Sequence, residues 1–269
     1  METVMQDLFT LQDRVALVTG GSRGIGKMIA TGLLHQGARV YISARKREEV
    51  ETAARELSDI GPCTPLVADA SGAEGARAMA AAYLDHEASL DILVNNAGAA
   101  WGAEFTEFPE SGWDKVVDLN MKTPFFLVQA LHDALKATAT PDRPAKVINV
   151  ASIDGLSVNT LFQAYSYGAS KAGLIHLTRH LALRLIKDNI AVSAIAPGAF
   201  PSNMNRAARD HGEALSRAIP ARRVGSTEDM AGAAVYLASR AGDYVVGSTL
   251  VVDGGISYTR ADDASVLSL

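Results

Sequence analysis

A chain of 269 residues, 48% hydrophobic and 20% charged, has the length and composition of one large α/β domain with a sizeable core. Its net charge of −5 gives nucleic acid or an anionic membrane no electrostatic reason to bind, and no apolar run reaches the roughly 18 residues needed to span a bilayer. The single cysteine, Cys63, excludes an intrachain disulfide and leaves most metal-site patterns without ligands. The opening METVMQDLFTLQDR carries acids and lacks an apolar core, so no signal peptide is expected and a cytoplasmic protein is.

In chain order, RVALVT (14–19) predicts a first strand, and the glycine-rich TGGSRGIG leads from it into the amphipathic stretch GKMIATGLLHQG. RVYIS (39–43), TPLVA (64–68), DILVN (91–95), KVINVAS (146–152), IAVSAIA (190–196) and TLVVD (249–253) predict six more strands. These runs are nearly continuously apolar, as strands are when both faces of a parallel sheet are covered. The spacers, such as KAGLIHLTRHLALRLIKD (171–188), place apolar residues at three- and four-residue intervals and predict helices. Strands alternating with helices imply right-handed crossovers, and hence an α/β doubly wound parallel sheet of about seven strands with helices on both faces. No Pro- or Ser-rich linker and no repeat divides the chain, so residues 1–269 are expected to form a single domain. Two segments break the alternation. Residues 198–226 read as a substrate flap. The tail from about 256 reads either as disorder or as an arm docked on a neighbouring subunit.

The glycine cluster after the first strand has the spacing G-x-x-x-G-x-G, with Gly20, Gly24 and Gly26. Glycines there let the backbone turn sharply and approach a pyrophosphate, and the following helix N-terminus offers unpaired N–H groups. The choice of dinucleotide follows from charge. An NAD site usually carries an acid at the end of the second strand, where it accepts from the ribose hydroxyls. Here Ala44 and then Arg45 stand in its place, and Arg23 lies in the glycine loop. Two guanidinium groups facing the adenosine ribose suit a 2′-phosphate, so NADP(H) is the expected cofactor.

Further motifs follow in order: NNAG at 95–98, Asn120 in DLNMKT, Ser152 in NVASIDG, and Tyr167 with Lys171 as Y-x-x-x-K. With TGGSRGIG and the closing GSTLVVDGG they resemble the short-chain dehydrogenase/reductase family along almost the whole chain. The resemblance implies a Rossmann-type sheet and a set of site residues. Gly20, Ser22, Arg23, Gly24, Ile25 and Gly26 match the family's cofactor loop. Asp69 and Ala70 match positions beside the adenine, and Asn96, Ala97 and Gly98 match the segment along the cofactor. Asn95 is expected to tie neighbouring strands together instead. Residues 197–202, PGAFPS, match a P-G-x-x-x-T motif near the nicotinamide, which assigns Pro197, Gly198, Phe200 and Ser202 to the cofactor, with Ser202 replacing Thr.

Two tyrosines compete for the role of proton donor. Residues four apart on a helix share a face, so Tyr167 points with Lys171, whereas Tyr165 has only Ala169 at that offset. An ammonium beside a phenol lowers its pKa from about 10. By the resemblance, Tyr167 protonates a carbonyl oxygen as hydride arrives at the carbon. Ser152 hydrogen-bonds that oxygen, Lys171 binds the nicotinamide ribose and lowers the Tyr167 pKa, and Asn120 holds a water that connects Lys171 to solvent. The Ser152-to-Tyr167 interval is slightly longer than in many members, and the extra residues fall in GLSVNTLFQ, beside the expected substrate.

Within the family the motifs look most similar to β-ketoacyl reductases, including the type associated with rhamnolipid synthesis. That branch implies reduction of a 3-oxoacyl thioester. Carrier-protein-dependent members often place a basic residue just before the sixth strand, and here Asp188 stands there, so a CoA ester, a free keto compound or a bulky ketone stays open. The alternatives are an alcohol dehydrogenase or carbonyl reductase acting on a sugar, polyol, aryl or steroid-like substrate, and a non-enzymatic NADP-binding regulator. Trp101, Phe105, Phe200 and Met204 suit an apolar cleft and ordinary packing equally, and Asp154 reads as a turn cap. The histidines, including the i,i+4 pair His176 and His180, show no metal-ligand spacing with carboxylates or cysteine, and no metal is expected. The family usually forms homotetramers through the two long helices after the fourth and fifth strands, and the same is implied here. A small-molecule carbonyl or alcohol is the expected partner.

Overall fold

A computed structural model describes residues 7–158 and 163–257. Seven parallel strands form one sheet: β1 (Val15–Thr19), β2 (Arg39–Ala44), β3 (Cys63–Val67), β4 (Ile92–Asn95), β5 (Ala145–Val150), β6 (Ile190–Pro197) and β7 (Thr249–Val252). Their spatial order is β3-β2-β1-β4-β5-β6-β7. The order reverses between β1 and β4, and the crevice outside the carboxyl ends of those strands is where open α/β sheets bind ligands.

The continuous apolar runs have the cause expected of them. Every residue of β1, β4, β5 and β6 is buried. Side chains alternate across the pleat, so Ala16 and Val18 enter one core cluster while Val15 and Leu17 enter the other. The first cluster is closed by α1 (Gly24–His35), α2 (Arg47–Ser58) and α10 (Thr227–Ala238). The second is closed on the opposite face by α3 (Gly72–Leu84), α5 (Thr123–Ala130) and α7 (Tyr165–Leu185).

The helical stretch after β4 is not one long helix. It is built from α4 (Glu110–Val117), a π turn (Asp118–Lys122), α5 and α6 (His132–Thr138), with a break at Leu131. The fifth strand also stops at Val150, two residues earlier than the sequence predicts, because Ser152 caps a short 3₁₀ turn over Ile153–Gly155. Between β6 and α10 the chain carries two short helices, α8 (Arg206–Asp210) and α9 (Gly212–Ser216). Ala208 and Ile219 of this segment are buried, and its ends are tied by Gly225 N–H to Ala199 O at 2.9 Å and Ala221 N–H to Gly254 O at 3.0 Å. The tail beyond 257, and residues 159–162 of the extended substrate loop, lie outside the described residues.

Asn95 does tie strands together, as expected. Its Nδ2 donates to Asn149 Oδ1 at 2.9 Å, and Asn149 Nδ2 passes the chain on to Thr178 Oγ1 at 2.9 Å, joining β4, β5 and α7 through the core.

The opposite, N-terminal edge of the sheet holds a buried ion network. Arg14 Nη1 and Arg143 Nη2 flank Asp91 Oδ1 at 3.5 and 3.4 Å, Asp91 Oδ2 accepts from Val15 N–H at 2.9 Å, and Lys146 Nζ lies 2.6 Å from Asp243 Oδ1. Burial lowers the Lys146 pKa, and Asp243 opposes that shift. Asp243→Ala leaves a buried ammonium unpaired and is expected to destabilise by about 1–3 kcal/mol near neutral pH. Below its ordinary value of 10.5 a depressed lysine binds fewer protons folded than unfolded, so stability rises with pH between the two pKa values. The variant's window reaches lower in pH, and its deficit should shrink as pH approaches that value. Urea unfolding at neutral pH and near pH 9.5 checks both the size and the direction.

Candidate active site

β1 ends at Thr19, and the chain turns at once through Gly20 (φ +64) and Gly24 (φ +52), both in the left-handed region open to glycine. Thr19 Oγ1 accepts the N–H groups of Asn96 and Ala97 at 2.9 Å each. In return Asn96 Nδ2 donates to Thr19 O at 2.8 Å and Gly20 O at 3.1 Å, so the loops after β1 and β4 are sewn to each other. Gly26 closes the packing, because a Cβ there would overlap Gly20 O and Asn96 Nδ2. α1 begins beside this floor with Arg23 at its N-cap, and no side chain caps its first N–H groups. Ile25 is packed against the core and Ser22 is half-buried. The result is a backbone surface almost free of side chains at a helix N-terminus, the form a pyrophosphate requires. Ser202 belongs to it too, since its Cβ would lie 3.2 Å from a Cβ on Gly24.

Around the rim, Ala44 ends β2 with no carboxylate of its own, as the sequence shows. Arg45 is exposed, with Nη1 3.9 Å from Asp69 Oδ2, and Arg23 Nη1 lies 3.1 Å from Glu49 Oε2. Asp69 Oδ1 accepts Ser71 N–H at 3.0 Å, and Ala70 is buried with its carbonyl taking the Thr123 hydroxyl at 2.7 Å. Pro197 ends β6. Gly198 donates to Val252 O at 2.9 Å and has no room for a Cβ against Asp253. Of the two readings left open for Phe200, ordinary packing is the one its burial favours: it is 2% exposed, in the core, with its ring against Gly225.

Asn120, Ser152, Tyr167 and Lys171 are brought to the same edge by three elements. The π turn lifts Asn120 inward, where Oδ1 accepts Ala99 N–H at 2.8 Å and Nδ2 donates to Ala99 O at 2.9 Å and Ser170 Oγ at 3.0 Å. Met121 of the same turn packs on Gly173, and Gly155 of the 3₁₀ turn abuts the α7 backbone at Lys171 and Ala172. Any larger residue at 155 would push the turn off the α7 backbone, and one at 173 would displace the Met121 side chain. Lys171, 4% exposed, donates from Nζ to Val150 O at 2.7 Å, and its Nζ lies 5.7 Å from the centroid of the Tyr167 ring. A Cβ on Gly98 would sit 3.2 Å from Asn120 Oδ1 and 3.8 Å from Lys171 Nζ, so Gly98 lies between the amide and the ammonium. Ser152 Oγ accepts Asp154 N–H at 3.1 Å, which gives Ser152 a turn-capping role and leaves the hydroxyl proton to be donated.

The electrostatics depart from expectation. Burial pushes the Tyr167 phenol up to about 12, with the Ser152 hydroxyl acting in the opposite direction and Asp154 reinforcing the rise. Burial alone brings Lys171 down to about 8. The downward pull expected of Lys171 does not set the Tyr167 value: the ammonium is bonded to Val150 O and lies 5.7 Å from the ring centroid, while desolvation of the phenol dominates. The arrangement therefore holds a protonated phenol, a hydroxyl and a buried cation at one point.

Tyr165 faces elsewhere. Its ring meets Phe105 and Phe108 edge-on at 5.9 and 5.8 Å, outside the catalytic group. Those residues, with Pro109, Glu110 and Trp113, line a shallow cavity of about 290 Å³. Trp101 packs on Gly112, and Met204 is exposed. His176 and His180 contact each other on α7, Nε2 to Nε2 3.2 Å, and among the described residues no three potential metal ligands gather. Sequence reading missed Thr19, Ser170, Gly155 and Gly173. Ser170 alone carried a signal, lying three residues after Tyr167 on the same helix.

A nucleotide cradle at the switch point and a Ser-Tyr-Lys group beside it define a class. Residues 20–257 match a family model described as enoyl-(acyl carrier protein) reductase, and the chain belongs to the short-chain dehydrogenase/reductase family. It is similar to the rhamnolipids biosynthesis 3-oxoacyl-[acyl-carrier-protein] reductase of Pseudomonas aeruginosa, 48% identical over 254 residues that span 93% of this chain and 99% of that one. The RhlG/NADP active-site complex of Pseudomonas aeruginosa superposes with a TM-score of 0.90 at 47% identity, covering 93% and 99% of the two chains. The 2-dehydro-3-deoxy-D-gluconate 5-dehydrogenase of Dickeya dadantii is 38% identical over 250 residues, 92% of this chain and 96% of that one. The protein is an NADP-dependent oxidoreductase with a Rossmann-type sheet. Among its described residues no helix is long and apolar enough to cross a membrane.

Gly26→Ala is expected to destabilise by about 1–3 kcal/mol, because the overlapping Gly20 O belongs to the backbone and cannot swing away. Gly232→Ala, in α10 with nothing within 4 Å, is expected to be neutral or stabilising by about 0.5–1 kcal/mol. Paired urea titrations check the contrast.

Proposed function

We propose that the protein reduces 3-oxoacyl thioesters to 3-hydroxyacyl thioesters with NADPH. The observation that carries the reductive chemistry is the buried Lys171 ammonium on Val150 O beside the half-buried Tyr167 and the cap residue Ser152. The similarity to a 3-oxoacyl-[acyl-carrier-protein] reductase supports the thioester.

NADPH, when bound, supplies the hydride. Gly20, Ser22, Arg23, Gly24, Ile25 and Gly26 hold its pyrophosphate end, Arg23 and Arg45 face the 2′-phosphate, and Asp69 and Ala70 lie beside the adenine. Asn96, Ala97 and Gly98 run along it, with Pro197, Gly198, the Phe200 backbone and Ser202 at the nicotinamide. Tyr167 gives its phenolic proton to the substrate oxygen, and Ser152 donates a hydrogen bond to the same oxygen as charge develops. Lys171 steadies the resulting phenolate, and Asn120 fixes the Ala99 backbone that follows Gly98, the residue lying beside the ammonium. Segment 198–226 serves as a flap over the substrate, tied to the cradle through Ser202 and Gly24. Exposed Leu183 on α7, with Phe105 and Tyr165, supports a homotetramer in which this face is covered.

A second reading, reduction or oxidation of a sugar-acid substrate, has its own support. Asp188 is saturated by Arg184 at 2.7 Å, Lys136 at 3.0 Å and His132 at 3.1 Å, which draws cations away from a surface that an acidic carrier protein would need. The similarity to a gluconate-type dehydrogenase points the same way. NADPH absorbance followed with acetoacetyl-CoA, a longer 3-oxoacyl thioester, an aryl ketone and a keto sugar decides between them. Turnover confined to the keto sugar would overturn the thioester reading.

Tyr167→Phe should cut kcat about 10³-fold and Ser152→Ala about 10²-fold, while titration shows NADP⁺ still bound. Full activity in Tyr167→Phe would remove the mechanism. With Tyr167 pushed up to about 12 and Lys171 down to about 8, the phenol stays protonated through neutral pH, and it is the lysine that loses charge first. Reductive kcat/KM should therefore fall as pH rises through about 8, as a full pH–rate profile would show.

A further inference from the structure

The cations at the expected ribose-phosphate position already have carboxylate partners. Glu49 engages two of them with separate oxygens: Arg23 Nη1 lies 3.1 Å from Oε2, and Lys46 Nζ donates to Oε1 at 2.7 Å. Arg45 is paired more loosely with Asp69 at 3.9 Å, and Arg47 is turned to Glu51 at 3.0 Å. Glu49 thus joins the glycine loop to the chain that follows β2, across 26 residues of sequence. The Lys46 hydrogen bond, then the charges of Arg23, Lys46 and Arg45, hold its carboxyl below the usual range. A first-turn position on α2 explains why an acid is welcome there, but it does not require a bond to Arg23.

We infer that Glu49 is an internal stand-in for the 2′-phosphate of NADP(H), a carboxylate that is held by Lys46, occupies Arg23 and must yield Arg23 for that phosphate to bind. The inference rests on the reading that Arg23 and Arg45 flank the phosphate. A phosphate monoester carries more charge than a carboxylate and three acceptor oxygens, so it can win the exchange. The displaced carboxylate remains nearby and opposes it. Arg23 and Glu49 are 59% and 36% exposed, so the exchange needs only side-chain rotation. Glu49 is in these terms a specificity-determining residue. It holds the preference for NADP over NAD below the level that the cations alone would set, and it acts on no part of the cofactor shared by both.

Isothermal titration of wild type and Glu49→Gln with NADP⁺, NAD⁺, 2′-phospho-AMP and AMP tests this without turnover. Glu49→Gln should tighten NADP⁺ and 2′-phospho-AMP by roughly 3- to 10-fold and move NAD⁺ and AMP by less than about twofold. In an Arg23→Gln background the gain should shrink, which a double-mutant cycle reads as coupling. Damage to α2 would show as weakened NAD⁺ and AMP as well. If wild type favours 2′-phospho-AMP over AMP and Glu49→Gln leaves that preference unchanged or reduces it, the stand-in role is wrong. If wild type binds the two fragments equally, the underlying placement of the phosphate fails, and the inference goes with it.

Discussion

A single ammonium held away from water organises the proposed catalytic edge of this molecule. Lys171 is 4% exposed and donates to the carbonyl of Val150, the last residue of β5. Such a group is costly in the interior and needs a fixed acceptor and fixed surroundings. The 3₁₀ turn that begins at Ser152, the amide of Asn120 and the first turns of α7 all have to be where they are for that to hold. The same burial raises the phenol and lowers the amine. Packing thus reinforces an acid form that a phenol of ordinary pKa near 10 already holds at neutral pH.

The precision of the packing comes from absent side chains. Gly26 against Gly20 O, Gly155 against the α7 backbone and Gly173 against Met121 are contacts in which a methyl group would overlap or crowd its neighbour. Three elements are brought within hydrogen-bonding reach by these contacts, and none of the contacts depends on the polar residues proposed for the chemistry. Hydrogen bonds then fix what the glycines allow: Thr19 to the loop after β4, Asn96 back to the loop after β1, and Asn120 to both sides of Ala99.

Much of this was legible in the residues, for identifiable reasons. The strands could be read because a sheet covered on both faces leaves unbroken apolar runs, and β1, β4, β5 and β6 are buried throughout. Tyr167 and Lys171 could be paired because four residues make about one helical turn. What escaped was set by tertiary contact. Nothing in DLNMKT announces a π turn, and nothing in SIDG reveals that Ser152 caps the turn while Asp154 supplies the N–H. The rise in the Tyr167 pKa escaped because spacing shows a neighbouring charge but not how much water is removed from both partners. The cationic rim was read from its residues alone and not as a surface, since the carboxylate of Glu49 reaches Arg23 only once α2 is folded against the glycine loop.

The two ends of the sheet carry unrelated tasks. Arg14, Asp91, Lys146 and Asp243 lie at the edge where the strands begin, and the proposed catalytic group lies where they finish. A strand of five or six residues at about 3.3 Å per residue puts roughly 15–20 Å between them. That exceeds the 7–10 Å or so beyond which mutational effects usually add independently. Changes that strengthen the far edge and changes that redirect substrate choice at the near edge can therefore be selected separately and combined afterwards. An engineer or a lineage altering the chemistry of this protein does not have to re-solve its folding at each step.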